Sequence, residues 1–316
     1  MRQVFLQAIL ALLVWGGTAH AADGPARTAV TLGTATAGGG FEAYGRVLAE
    51  VVNALDPTIE VRPQATGGST ENVALLAAGR VDLALVTGEV AHEAFAAGGA
   101  QSPGVLSAMY STPGLFAVRA DSPYSRIEDL KGRPVVFGAR GSGLAVLARY
   151  ILDGMGLDMQ RDFQAILLDR IEDAPAMLLD GRAEALWGGG AGWPPFVALA
   201  RTGARFVVPD EEAIERIVAR HGLLSRLTLP PGSYPGQDAR LASVGTWSLI
   251  LIRPGLDEDL AYRLARALHR GEAELARRLP RAAETNSANT LATVPLDRLH
   301  PGALRYLREA GLIQAK

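Results

Sequence analysis

The sequence predicts an α/β fold made of two similar lobes, and three observations support this prediction. Short apolar runs rich in β-branched residues alternate with amphipathic helical patterns along the chain. No linker rich in Pro, Gly or Ser divides the 316 residues, so we expect ordered strands to join the lobes. The two halves also resemble each other, because Gly79–Asp82 and Gly181–Glu184 each connect a helix to a strand. Chance similarity is the alternative, since Gly is common at helix C-termini.

The elements follow from apolar periodicity and from the turn residues between them. Strands are expected at Ala29–Thr34, Ile59–Ala65, Val81–Val86, Val105–Met109, Leu115–Arg119, Pro134–Gly138, Gln164–Leu168, Ala183–Trp187, Arg205–Val208 and Ser243–Ile252. Helices are expected at Phe41–Leu55, Glu71–Ala78, Leu144–Gly154, Asp173–Leu179, Glu211–His221 and from Asp257 to about Arg278. The strands near Leu115 and Ser243 are the candidate crossings between lobes. This places residues 22–116 and 247–316 in one lobe and residues 117–246 in the other.

Composition and charge exclude several classes of function. The chain is 48% hydrophobic and 20% charged, with a formal net charge of −2 and no Cys. A near-neutral chain without a basic cluster lacks the electrostatic basis for nucleic-acid binding. The absence of Cys excludes disulfides, thiolate metal sites and Cys nucleophiles.

The N-terminus has the pattern of a secretory signal peptide. Arg2 precedes an apolar run from Phe5 to Trp15, and Ala19–Ala21 has the small-x-small form of a cleavage site. The apolar run is shorter than the roughly 20 residues that span a bilayer. We therefore expect residues 1–21 to be removed and the protein to be periplasmic, with an uncleaved anchor as the alternative. Without Cys, the chain needs no disulfide in that compartment.

Three strands lead through Gly-rich loops into helices, and these loops are the candidate binding site. They contain Gly38–Gly40, Gly67–Thr70 and Gly138–Gly143. Such loops expose backbone N–H groups at the positive ends of helices, and Gly lets a ligand approach the main chain. Because the loops follow strands, we expect them to meet in one crevice that binds an anion. The alternative is turn chemistry and capping, which is strong for Ser69 as a cap of its own helix.

None of these loops carries a catalytic motif. The Lys of a P-loop is missing, and Ser69 and Ser142 both lie outside a G-x-S-x-G elbow. Ala96 stands where a zinc protease with His92-Glu93 would need its second His. We therefore expect no enzymatic activity, no metal and no cofactor.

Arg140 is the candidate cation, because it lies inside a Gly-rich loop where a guanidinium could bind a carboxylate through two hydrogen bonds. A solvated Arg at the rim of the loop is the alternative. Trp187 and Trp193 flank Gly188–Gly192 and are candidates for one wall of a pocket, although either could belong to the core.

Six collinear motifs carry a resemblance to a known family. They are Gly33-Thr34 with Gly38-Gly39, Thr66–Asn72 with Leu75-Leu76, Asp129–Gly132, Gly138 with Gly141–Gly143, Pro231–Asp238 and His300–Ala303. Together they resemble the TAXI family, the extracytoplasmic solute receptors of TRAP-type secondary transporters. The resemblance implies a type II periplasmic-binding-protein fold with a ligand in the cleft between lobes. Family members bind glutamate, glutamine or related carboxylates and deliver them to a membrane permease that an ion gradient drives.

Transfer of the family motif, with the candidates above, gives the expected ligand-binding residues: Gly38, Gly39, Gly40, Phe41, Gly68, Ser69, Asn72, Arg140, Gly141, Ser142, Gly143, Trp187 and Gly189. The sequence departs from the family at Gly40–Ala43, where Thr, two aromatic residues and Pro are usual. It also departs at Arg140, where Pro is usual, and at Ala191–Pro194.

A ligand sensor or an enzyme on the same bilobal fold is the competing function. Enzymes of this fold that use covalent chemistry depend on a Cys nucleophile, which the chain lacks. A regulator would need a helix-turn-helix, and a membrane sensor would need a transmembrane helix. We therefore expect a soluble receptor with a small carboxylate and a TRAP-type permease as its partners.

Overall fold

The computed structural model describes residues 27–99 and 102–313. The strands within these ranges are β1 (Thr28–Gly33), β2 (Ile59–Gln64), β3 (Leu83–Val86), β4 (Gly104–Val118), β5 (Pro134–Ala139), β6 (Gln164–Leu168), β7 (Ala185–Gly189), β8 (Arg205–Val207), β9 (Ser225–Leu229) and β10 (Leu241–Ile252). The α-helices are α1 (Gly40–Leu55), α2 (Ser69–Ala77), α3 (Gly88–Gly98), α4 (Gly143–Gly154), α5 (Ala174–Leu179), α6 (Pro194–Ala200), α7 (Glu211–Arg220), α8 (Glu258–Arg270), α9 (Glu272–Arg278), α10 (Ser287–Thr293) and α11 (Pro301–Glu309). Short 3-10 helices lie at Ile127–Leu130, Ile171–Asp173, Pro280–Glu284 and Leu296–Arg298.

The strands form one curled sheet in the order β2-β1-β3-β10-β4-β7-β5-β6, with β9 beside β10 and β8 beside β4. β1 pairs in parallel with β2 and β3, and β5 pairs in parallel with β6 and β7. The long strands β4 and β10 run antiparallel to each other; β10 also pairs with β3 of the first parallel arrangement, and β4 also pairs with β7 of the second. They therefore connect the two parallel arrangements.

Buried side chains form a separate core around each parallel arrangement. The first core lies around β1 and β3 and contains Leu32, Leu48 and Leu85. The second arrangement has a core on each face of its sheet, one with Phe137 and the other with Phe196. We call the structure around the first core the first lobe, and that around the other two cores the second lobe. The boundaries expected at residues 116/117 and 246/247 stay a prediction.

Several predicted elements differ from the observed ones. Val105–Met109 and all but the last residue of Leu115–Arg119 belong to the single strand β4, because the chain stays extended through Pro113 and Gly114. Pro113 pairs there with Gly245 of β10.

The helix expected from Asp257 to about Arg278 is also wrong, because it is divided at Gly271 into α8 and α9. A Cβ at Gly271 would lie 2.6 Å from Val51 Cγ1, so the break brings the chain close to α1. The sequence analysis missed β9, α3, α6, α10 and α11, most of which are short.

The predicted signal peptide lies outside the described residues and stays a prediction. Within residues 27–99 and 102–313, no helix combines the length and the apolar character that a membrane span requires.

Candidate functional site

A cleft between the two lobes encloses about 610 Å³ of space, including its open mouth. The helices α1, α2 and α4 begin at this cleft, and the N-cap residues of α3 and α6 also line it. Helix N-termini carry partial positive charge and unpaired backbone N–H groups. The cleft is therefore an environment that favours an anion.

The loops before α2 and α4 meet across the cleft. The backbone N–H of Thr70 donates a hydrogen bond of 3.1 Å to the carbonyl oxygen of Gly141. Gly68 has φ +115°, and a Cβ at this position would lie 3.2 Å from Ser142 Cα. Gly at position 68 is therefore needed both for the backbone conformation and for the close approach of the lobes.

Gly143, the first residue of α4, is packed against the first lobe. A Cβ there would overlap Thr87 Oγ1 and would lie 2.6 Å from Ser69 Oγ. Ser69 is itself fixed, because its Oγ accepts a hydrogen bond of 3.1 Å from the backbone N–H of Thr87. The closed arrangement of the lobes therefore depends on the missing side chain at position 143.

Arg281 brings a positive charge into the cleft. It lies on the 3-10 helix Pro280–Glu284, lines the cleft and is only 8% exposed. Its Nη2 donates to the carbonyl oxygen of Gly192 in the second lobe, so it bridges the two lobes. No carboxylate in the described part of the chain lies within 4.0 Å of its guanidinium nitrogens. A buried cation without an anionic partner is costly, which makes Arg281 a candidate partner for an anion.

Aromatic side chains surround this cation. The Arg281 guanidinium carbon lies 5.7 Å from the centre of the Tyr110 ring, at a cation–π distance. Tyr110 contacts Phe41 edge-on at a centroid distance of 6.4 Å. Burial raises the pKa of the Tyr110 hydroxyl above its ordinary value, and the charge of Arg281 partly opposes this shift. Tyr110 is therefore a neutral wall of the cleft at physiological pH.

Gly40 makes room for the cation. A Cβ at this position would lie 2.7 Å from Arg281 Nη1 and 3.2 Å from Trp193 Cδ1. The guanidinium thus lies directly against the first turn of α1, where backbone N–H groups are free. An anion at this point would meet both a side-chain cation and the helix N-terminus.

Eight of the thirteen predicted ligand-binding residues line the cleft: Gly39, Gly40, Phe41, Gly68, Ser69, Ser142, Gly143 and Gly189. The five others, which do not line it, are Gly38, Asn72, Arg140, Gly141 and Trp187. Ligand contact by any of them stays a prediction. The structure nevertheless brings the three Gly-rich loops to one place.

Gly38 and Gly141 lie beside the cleft in left-handed backbone conformations, with φ +75° and +76°. A Cβ at Gly38 would lie 2.9 Å from Glu172 Cβ of the second lobe. Gly141 accepts the cross-lobe hydrogen bond from Thr70. Both therefore act where the lobes touch.

Asn72 is a structural residue in this conformation. It is fully buried, and its Nδ2 donates to the carbonyl oxygens of Thr34 and Leu85 at 2.8 Å each. Its Oδ1 accepts from Thr66 Oγ1 at 2.8 Å. These bonds join the ends of β1 and β3 to the loop before α2, and the side chain does not reach the cleft.

Trp187 belongs to the core, as one of the two interpretations of the sequence allowed. It is fully buried, its Nε1 donates to the carbonyl oxygen of Leu144 at 2.7 Å, and its ring lies 4.8 Å from that of Phe116. Trp193, the other tryptophan considered, lines the cleft.

Arg140 does not face the cleft. Its side chain is 69% exposed, and its Nε donates to Asp169 Oδ1 at 2.9 Å. The backbone of its loop turns at Gly141, which directs this side chain toward the strand end that carries Asp169. The geometry corresponds to the alternative of a solvated Arg at the rim.

Ser69 and Ser142 differ in their capping roles. Ser69 does not cap its own helix; the N-cap of α2 is Gly68, and Ser69 Oγ bonds to Thr87 instead. Ser142 is the N-cap of α4, and its Oγ accepts from the backbone N–H of Leu144 at 3.2 Å.

Arg281, Tyr110 and Thr87 also line the cleft, and their roles were not predicted from the sequence. Arg281 follows Arg277 and Arg278 in an Arg-rich segment, and nothing in the sequence distinguishes it from its exposed neighbours. Tyr110 fell in the gap between two expected strands. Among the described residues, no cluster of three or more His, Asp or Glu side chains could hold a metal.

Solved binding proteins share this fold. The periplasmic binding protein BugD is 13% identical and matches with a TM-score of 0.56, over 91% of this chain and 99% of that chain. A binding protein component of an ABC phosphonate transporter from Pseudomonas aeruginosa is 12% identical, with a TM-score of 0.52 over 80% of this chain and 78% of that one. An ancestral arginine-binding protein bound to arginine is 14% identical, with a TM-score of 0.51 over 81% and 98%.

At these identities the similarity concerns the fold, and it confirms the predicted bilobal α/β fold of periplasmic binding proteins. A sequence model of one family also matches residues 32–311, which is nearly all of the described chain. The chain therefore belongs to the NMT1-like family.

Proposed function

We propose that this protein is a periplasmic solute receptor that binds a small carboxylate between its lobes and delivers it to a TRAP-type membrane permease. The bilobal fold and the family support the receptor function. The observation that supports a carboxylate ligand is the buried Arg281, which lies against the first turn of α1 and has no carboxylate partner among residues 27–99 and 102–313. A carboxylate would satisfy the guanidinium through two parallel hydrogen bonds.

Binding is coupled to closure in this proposal. The hydrogen bonds that cross between the lobes include Thr70 N–H to Gly141 O at 3.1 Å, Tyr150 Oη to Glu93 Oε1 at 2.9 Å, and Arg281 to Gly192 O. Arg281 lines the cleft and also makes one of these hydrogen bonds between the lobes. An anion that orders its guanidinium therefore also favours the closed lobes. Closure then removes water from the anion and strengthens its electrostatic attraction to the cleft.

The side chains of the cleft support a binding protein rather than an enzyme. Apart from Arg281, the polar side chains that line it in the described part of the chain are hydroxyl groups, including those of Ser69, Thr87 and Ser142. No base lies among them to activate a hydroxyl nucleophile. The arrangement suits recognition without a chemical step.

Ligand binding is tested directly with the exported protein. A panel of small carboxylates, with the corresponding alcohols as controls, is screened by thermal denaturation. A ligand at 100 times its dissociation constant should stabilise the protein by about 2.7 kcal/mol. For a chain of this size we expect a rise of about 5–10 °C in Tm. Equal shifts for carboxylates and alcohols, or no shift at millimolar concentration, would contradict a carboxylate receptor.

Export and the transport partner need separate experiments. Peptide mapping should show a mature N-terminus near Ala22; an intact segment 1–21 in the membrane fraction would contradict a periplasmic location.

The TRAP assignment is supported by the collinear motifs, above all Thr66–Asn72 and Pro231–Asp238. In cells that express the receptor and its permease, ionophores should abolish uptake while ATP depletion at a maintained ion gradient should not. The opposite result would indicate an ABC-type partner.

A further inference from the structure

We infer that the cleft selects organic monoanions with an apolar body and discriminates against zwitterionic amino acids and dianions. This inference deepens the proposed function and rests on it. It narrows the expected ligands, because glutamate and glutamine both carry an α-ammonium group that the ligand inferred here lacks.

The first argument concerns the charged side chains that line the cleft. Arg281 is the one cationic side chain among the described residues that line it, and no Asp or Glu is among them. An amino acid brings a carboxylate and an ammonium group into the same closed space. The carboxylate has a partner, whereas the ammonium would lose its hydration without gaining a counter-charge.

No acidic residue lines the cleft in the described part of the chain, and the nearby Glu284, on the 3-10 helix of Arg281, accepts hydrogen bonds from the backbone N–H and the Oγ of Ser111. Glu71 is exposed and accepts a hydrogen bond from the backbone N–H of Gly67, and Glu172 is exposed and pairs with Arg170. Glu89 lies behind Thr87, is fully buried, and bonds to Thr246 Oγ1 at 2.7 Å. Burial also raises the pKa of the Glu89 carboxyl, which favours its uncharged form.

Most hydroxyl groups of the cleft are already engaged within the protein. Ser69 Oγ accepts from Thr87 N–H, and Ser142 Oγ accepts from Leu144 N–H. The hydroxyls of Thr112 and Ser248 lie 3.1 Å apart and bond to each other. An ammonium donates three hydrogen bonds, and a hydroxyl oxygen that accepts one of them supplies no negative charge to offset the loss of hydration.

The remaining walls favour an apolar ligand body. Phe41 and Tyr110 of the first lobe face Leu144, Ile171 and Trp193 of the second across the cleft. A second carboxylate on the ligand would lie against this surface without another Arg or Lys. Dicarboxylates should therefore bind more weakly than monocarboxylates of the same length.

Matched ligand pairs test the inference by titration calorimetry on the exported protein. The pairs are 3-phenylpropionate with phenylalanine, 4-methylpentanoate with leucine, and pentanoate with glutarate. In each pair the first compound should bind at least tenfold more tightly, because only the extra charged group differs. Phenethylamine, which has the ammonium without the carboxylate, should not bind.

The outcomes separate this inference from the proposed function. If an amino acid binds as tightly as its partner without the amino group, or glutarate as tightly as pentanoate, the inference is overturned while the carboxylate receptor stands. If none of the six acids binds, both fail. A tenfold preference in the wild type, together with weaker binding of all three monocarboxylates in Arg281→Gln, would support both, because binding would then depend on the cation of the cleft.

Discussion

Arg281 and Arg140 lie near the same cleft in opposite environments. Arg281, from the first lobe, is 8% exposed and has no carboxylate partner within the described chain. Arg140, from the second lobe, has a side chain that is 69% exposed and pairs with Asp169 at 2.9 Å. A Gly-rich loop therefore does not by itself make a nearby Arg into a ligand-binding residue. Burial without a carboxylate partner is the better indication, because an anion would offset the cost of the buried charge.

The largest effect should come from Arg281. We expect Arg281→Gln to weaken carboxylate binding by about 2–5 kcal/mol, which is about 30-fold to several thousandfold in Kd. Arg281→Lys should recover only part of this loss, because an ammonium lacks the planar donor fork. Calorimetry measures both values, with an unchanged Tm in the absence of ligand as the control. If Arg281→Gln weakens carboxylate binding by less than about fivefold, Arg281 contributes as little to binding as is expected of Arg140, and its proposed role is wrong.

The next effect concerns closure. Gly143→Ala should weaken binding by about 1–3 kcal/mol, or about 5-fold to 150-fold, because its Cβ would overlap Thr87 Oγ1 when the lobes close. Gly222→Ala is the matched control, since nothing lies within 4 Å of its Cβ position. Small-angle scattering with saturating ligand should give a larger radius of gyration for Gly143→Ala than for the control. Equal radii and equal affinities would show that the packing at Gly143 does not limit closure.

Arg140 should have a small effect. Exposed ion pairs contribute little and are screened by salt, so Arg140→Gln should change the Kd by less than about fivefold. Calorimetry at two salt concentrations checks this expectation. A large loss of affinity that persists in high salt would place Arg140 in contact with the ligand after all.

Arg263 differs from Arg281, because its carboxylate partner belongs to the protein itself. It donates to both carboxylate oxygens of the buried Asp56 at 3.0 Å each, and this pairing lowers the pKa of Asp56 to about 2. Asp56→Asn should leave ligand affinity unchanged and lower the free energy of unfolding by about 2 kcal/mol.

The sign of the pH dependence follows from the lowered pKa. The contribution of Asp56 is fully present above about pH 4, the ordinary pKa of an unfolded Asp, and it is lost as the pH falls through about 2. Denaturation with urea between pH 2 and pH 6 should therefore show a difference between wild type and Asp56→Asn that shrinks toward low pH. The exposed pair of Glu60 and Arg62 provides a control, since Glu60→Gln should change stability little. A difference that grows toward low pH would contradict this role of Asp56.

The sequence predicted the meeting of the Gly-rich loops because local rules determine it. Loops that follow parallel strands lie at one edge of the sheet, and Gly68 and Gly141 need φ values that other residues rarely adopt. The structural roles of Asn72 and Trp187 could not be predicted from the local sequence. Their hydrogen bonds to Leu85 O and Leu144 O depend on which elements pack together in the folded chain.

The cation of the cleft was unpredictable for the same reason. Arg281 reaches Gly40 only because the 3-10 helix after α9 packs beside β4. Arg277 and Arg278, four and three residues earlier, instead pair with Glu274 and Glu50. Sequence periodicity identifies an Arg-rich segment, but it does not indicate which guanidinium lacks a carboxylate.

A crystal structure of the complex with a bound monocarboxylate is the most direct test of whether Arg281 binds the carboxylate. We expect both carboxylate oxygens to lie within about 2.7–3.2 Å of Arg281 guanidinium nitrogens or of backbone nitrogens in the first turn of α1. We also expect that Arg140 remains paired with Asp169 and that the body of the ligand lies against Tyr110 and Trp193. A carboxylate bound by Arg140, with Arg281 in contact only with Gly192, would contradict the account.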